Sequence, residues 1–157
     1  MRALAEKFGG DEEKWGIIGL LHDGDYEQTK ENMNAHSAMM AGWVEELGET
    51  DQELLEGIRS HGGSHRGEEP QGNLQWSLFC CDELTGLIVA VALVMPSKKL
   101  SEVTVEAVLK KFPQKAFAAG AKREDIQMCE EKLGIPLPEF IEIGLKAMQG
   151  IAGEIGL

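Results

Sequence analysis

Cysteine is scarce, at three in 157 residues, and the number is odd, with Cys80 and Cys81 adjacent. That pattern argues against a disulfide framework and reads as reduced thiols in a cytoplasmic protein. On an apolar helix the neighbouring pair reads as core filling rather than redox chemistry. Positive charge is also in short supply. Fifteen Lys and Arg face 27 Asp and Glu, for a formal net charge of -12. A broad basic patch is therefore not expected, nor is binding to a nucleic-acid duplex. A small anionic substrate stays open, because a bound metal inverts the local field. The first eight residues form a short amphipathic piece without the apolar core of a targeting segment. The apolar run at residues 84–95 spans 12 positions, too few for a bilayer, and reads as a core helix. Repeats, low-complexity tracts and linkers are absent. The expectation is a soluble, cytoplasmic chain with no membrane partner.

What is present is apolar side chain, 43% of the total, enough to give a chain of this length its own core as one domain over residues 1–157. The punctuation is helical. Gly9 and Gly10 end a first piece, and Asp11 followed by two glutamates starts a helix that runs to about His22. Further helices are expected at residues 35–47 and at 52–61, the latter capped by Asp51, with Leu54, Leu55 and Ile58 at helical spacing. A polar loop follows at 62–73, long enough to be a lid. Residues 74–95 predict a long apolar helix stopped by Pro96. Helices at 102–112, 123–133 and 138–155 complete an all-α reading. The valines near 103–108 invite a strand, but the flanking Glu106, Ala107, Leu109 and Lys110 favour helix.

One pair stands out. His22 and Asp23 close an apolar segment whose residues Ile17, Ile18, Leu20 and Leu21 imply a buried helix, and Gly24 offers local backbone freedom there. His36, His61 and Asp82 follow in order. Asp82 interrupts a greasy stretch, where a carboxylate is costly unless it is paired or bound to a metal. Three imidazole donors and two carboxylates suffice for one or two divalent ions. Each residue also has a plainer reading. A lone His-Asp dipeptide is a surface helix end, and Asp82 pairs with a Lys or Arg or faces solvent. His36 caps a helix or lies at the surface, and His61 sits favourably at a helix C-terminus. His65 reads as a surface residue. Glu83 reads as an acid-base or supporting group, or as pointing outward.

The ordered set resembles the HD-domain superfamily of metal-dependent phosphohydrolases, in a compact branch of predicted hydrolases. The segments that carry the resemblance are LHDGDYE at 21–27, IRSHG at 58–62, DELTGLIV at 82–89, PSK at 96–98 and KAFAA at 115–119. The resemblance implies a single all-α HD-type helical bundle. It also implies metal ligation by His22, Asp23, His36, His61 and Asp82, with Asp23 as the catalytic carboxylate, shared between two ions. HD domains carry one more metal-binding histidine on a helix ahead of the doublet. None precedes His22, so the chain is expected to be shortened at its start.

The implied activity is hydrolysis of a phosphoester in a nucleotide or other small phosphorylated molecule by a metal-activated water. His and carboxylate donors suit Mn, Fe, Co, Ni or Zn. Lys98 is the candidate phosphate contact, or half of a solvated lysine pair. The rival reading is a degenerate HD fold that binds a ligand or partner without turnover.

Overall fold

Asp11 and Asp51 each cap a helix with one carboxylate oxygen. Asp11 accepts from the backbone of Glu13 and Lys14, both at 3.0 Å, and Asp51 accepts from Glu53 at 2.9 Å and Leu54 at 3.3 Å. Both satisfy N–H groups that a helix start otherwise leaves open. In the computed structural model, which describes all of Met1–Leu157, every regular element is helical. The chain divides into two compact units, Met1–Leu78 and Phe79–Leu157.

The first unit contains α1 (Arg2–Phe8), α2 (Glu12–Leu21), α3 (Tyr26–Thr29), α4 (Ala38–Glu46), α5 (Gln52–His61) and the start of α6 (Gly72–Val94). α1 packs on α2, and α5 packs on both α2 and α4. Ile18, Leu55 and Ile58 are wholly buried in its core, each contributing roughly 1.5–3 kcal/mol by burial.

Two contacts lay α2 and α5 side by side. Lys14 on α2 reaches Asp51 at 2.8 Å and Glu53 at 2.6 Å, which ties the N-terminal ends together. Midway, Gly57 meets Ile18 so closely that a Cβ would stand 2.6 Å from Ile18 Cδ1. His22 lies eight positions beyond Lys14, and His61 eight beyond Glu53. Equal advances of about 12 Å along neighbouring parallel helices bring both histidines to the same end.

The second unit holds the rest of α6, then α7 (Val105–Lys111), α8 (Arg123–Leu133), α9 (Leu137–Gly150) and α10 (Ala152–Ile155). α9 packs against α7 and α8. The guanidinium of Arg123 is buried and donates to the carbonyls of Phe112, Phe117, Ala118 and Ala121, so it organises the α7–α8 connection. α6 is long and apolar enough to cross a membrane by length and composition, with half of that stretch buried. A core helix passes the same test.

Several expectations shift. The loop at 62–73 begins as a 3-10 helix, Gly62–Arg66, with Gly62 and Gly63 buried. The short α3 had no periodicity to betray it. The segment at 102–112 starts with a 3-10 turn, Leu100–Glu102, followed by extended Val103 and Thr104, and the hydroxyl of Thr104 caps α7. The closing helix breaks at Ile151. α2 is not buried all round: Ile18 has no exposed surface, but Leu20 is 80% exposed.

Candidate metal centre

α2 ends at Leu21, and the chain turns at once. The N–H of Gly24 donates to the carbonyl of Leu21 at 2.9 Å, and that of Tyr26 to Asp23 at 3.0 Å. Gly24 does not use the left-handed region open to glycine, since its φ is not positive. What it supplies is space, because a Cβ there would lie 2.6 Å from Met40 Sδ. The turn places the carboxylate of Asp23 among three imidazoles. Its Oδ1 lies 3.1 Å from Nε2 of His36 and 3.2 Å from Nε2 of His61, and its Oδ2 lies 3.4 Å from Nε2 of His22. The rings crowd together, with centroids 4.6 Å apart for His22 and His61 and 5.1 Å for His36 and His61.

Two of these rings are held at Nδ1. Nδ1 of His22 is 2.8 Å from the carbonyl oxygen of Gly19, and Nδ1 of His36 is 2.8 Å from Oδ1 of Asp25. A carbonyl oxygen only accepts, so Nδ1 of His22 donates, whereas His36 faces a carboxylate at each of its nitrogens. In the neutral ring of His22, Nε2 then carries the lone pair, directed at Asp23. Acceptor facing acceptor is unfavourable unless a proton or a cation lies between them. The donor set therefore fits a divalent ion: ligating atoms of Asp23, His36 and His61 all lie within 4.8 Å of one another, and imidazole with carboxylate suits first-row metals. The hydrogen bond from His61 holds the Asp23 carboxyl down at about 2. Its partial burial works against this shift, and the charge that His22, His61 and His36 carry when protonated adds to it.

His36 was expected at a helix start. It lies before one instead, with Ser37 as the N-cap of α4, and its side chain is only 2% exposed. Ser37 adopts the left-handed region, φ 62°, which is uncommon outside glycine. Its hydroxyl donates to the Arg59 carbonyl at 2.9 Å and accepts from the Gly62 N–H at 2.8 Å. Arg66 adds a second strap, donating to the carbonyls of His36 at 3.2 Å and Arg59 at 2.8 Å. Gly62 is required at this crossing, where a Cβ would run into the His36 carbonyl. These links fix the His36 loop to the end of α5, where His61 sits.

The HD-domain family model matches residues 1–112. The chain belongs to the HD-domain family. Members of this family are generally metal-dependent phosphohydrolases. Comparison with curated proteins gave no match, and neither did comparison with solved structures.

The first unit of this HD domain thus brings together His22, Asp23, His36 and His61. Asp82 and Lys98 belong to the second unit. Asp82 is half-buried on α6, and its backbone carbonyl accepts from Thr85 Oγ1 at 2.8 Å. Lys98 is exposed in the turn after α6, with a positive φ of 54°. Glu83 accepts from the backbone N–H of Lys122 at 2.9 Å, and burial raises its carboxyl pKa. His65 is exposed in the 3-10 segment. Sequence reasoning missed Asp25, Ser37, Gly62 and Arg66 as supports. Only Asp25 left a signal, as the second acid of LHDGDYE.

Proposed function

We propose that this HD domain is a metal-dependent phosphohydrolase acting on a nucleotide or a similarly small phosphorylated molecule. One observation carries the reading: the Nε2 atoms of three histidines converge on the single carboxylate of Asp23, at 3.1–3.4 Å. His22, Asp23, His36 and His61 would hold one or two divalent ions of Mn, Fe, Co, Ni or Zn. The sequence adds Asp82, a carboxylate in an apolar stretch, as a further ligand, and Lys98 as a phosphate contact. A divalent ion in such a set supplies Lewis acidity toward water and positive charge toward phosphate oxygens. The chain's own part is to present the lone pairs of His22 and His36 on rings already fixed at Nδ1. Asp23 is half-exposed, at 51%, so its carboxylate is open both to an ion and to an approaching water. Buried reduced thiols agree with a cytoplasmic setting.

The test is phosphate release from p-nitrophenyl phosphate and from nucleoside mono-, di- and cyclic phosphates, in the presence of Mn²⁺, Co²⁺ or Ni²⁺. Turnover should require the metal, stop on chelation, and be lost in Asp23→Ala. A protein that binds metal stoichiometrically yet releases phosphate from none of these would overturn the enzyme reading in favour of a binding domain.

A further inference from the structure

Asp25 is the only acidic side chain with no exposed surface. Both of its oxygens are engaged. Oδ1 lies 2.8 Å from Nδ1 of His36, and Oδ2 accepts from the backbone N–H of Met40 at 3.0 Å, in the first turn of α4. Thr29, also buried, donates its hydroxyl to the Asp25 carbonyl at 2.9 Å, and Thr29 Oγ1 stands 3.3 Å from Nδ1 of His36. His36 therefore sits between two carboxylates, Asp25 at Nδ1 and Asp23 at Nε2 (3.1 Å). A neutral imidazole has one N–H to give. The two acids compete for it, and only one outcome leaves Nε2 able to bind a metal.

The geometry favours Asp25. Its contact is shorter, and burial strengthens a hydrogen bond to a carboxylate. Asp23 is half-exposed and shares Oδ1 with His61. We propose that Asp25 is the positioning residue of the metal centre, holding His36 as the Nδ1–H tautomer with its Nε2 lone pair aimed at Asp23. Carboxylates placed behind metal-binding histidines raise the basicity of the ring and fix its orientation. Here the same carboxylate also grips the first turn of α4, so the ring is registered against a helix rather than a free loop. The inference rests on reading the cluster as a metal site and is independent of the substrate.

The first experiment uses the wild-type, metal-free protein. Long-range ¹H–¹⁵N correlation of the neutral imidazoles should show His36 protonated at Nδ1, and a proton at Nε2 overturns the proposal. The second is Co²⁺ titration followed by visible absorption. An asparagine amide can donate to Nδ1 and drive the proton to Nε2, so Asp25→Asn should weaken Co²⁺ binding roughly 10–100-fold at unchanged stoichiometry. In a His36→Ala background, adding Asp25→Asn should change the affinity by less than about twofold, because Asp25 acts through that ring. A loss as large in that background as in the wild type would mark a merely structural role and overturn the proposal. Wild-type affinity in a folded Asp25→Asn would do the same. If the wild type binds no Co²⁺, the metal reading falls and takes this inference with it. If Asp25→Asn does not fold, the tautomer of the wild-type ring decides alone.

Discussion

Asp23 and His61 meet across two helix ends, Oδ1 to Nε2 at 3.2 Å, although one follows α2 and the other closes α5. The contact exists because Lys14 and Gly57 align those helices in parallel. If the cluster holds two ions, His61→Ala and His36→Ala should each remove about one metal equivalent and leave the other, and hydrolysis should fall by more than the 10–100-fold typical of an outer partner. His65→Ala should leave both intact and shift stability by no more than about 0.5 kcal/mol. Metal analysis of the purified variants, with phosphate release, checks this. Full metal and rate in His36→Ala and His61→Ala would remove those residues from the site.

Acidity should unload Asp23 in a defined window. Its carboxyl is held at about 2 in the folded chain, against about 3.9 for an unperturbed aspartate. A depressed folded value means the contribution is present above pH 4 and is lost as pH falls toward 2. The side chain is half-exposed, so solvent screening limits the effect to about 1 kcal/mol. Urea unfolding of the chelator-treated protein should show wild type and Asp23→Asn converging in stability between pH 4 and 2. A difference that stays constant through that range would count against the assignment.

Gly62→Ala tests the crossing beside the site. The added methyl would meet the His36 carbonyl and stand 2.7 Å from Ser37 Oγ, and neither atom is the free end of a long side chain. Overpacking of this kind costs about 1–3 kcal/mol. Thermal unfolding should register that loss, and metal affinity should fall with it, because the displaced segment carries His36. Gly67→Ala makes a useful contrast. Nothing lies near its Cβ, but its φ is +74°, so it should cost stability through the backbone alone and spare metal binding.

The three thiols should be inert in the folded protein. All are buried, and burial pushes Cys81 and Cys129 up to about 11 and raises Cys80 as well. The thiolate is the reactive form. An aromatic disulfide reagent at pH 8 should titrate none of them in native protein and all three in denaturant. Rapid native labelling would contradict their place in the core.

The helical class was legible in the sequence because it depends on local chemistry. Asp11 and Asp51 announce helix starts by what their carboxylates can accept, and Leu54, Leu55 and Ile58 mark a buried stripe by spacing alone. His22-Asp23 was legible because an ionisable pair at the end of an apolar run is conspicuous. Tertiary structure decided the rest. That His22 and His61 share one end follows from α2 and α5 running parallel, a register set by Lys14 bridging to Asp51 and Glu53 and by Gly57 admitting Ile18. No local pattern encodes such a pairing. The role of Asp25 was hidden for the same reason. In sequence it is one more acid in LHDGDYE, and only burial against His36 and Met40 shows which proton it controls. Ser37, Gly62 and Arg66 left no signal at all, because a hydroxyl, a missing methyl and a guanidinium acquire their meaning only when distant backbone atoms arrive beside them.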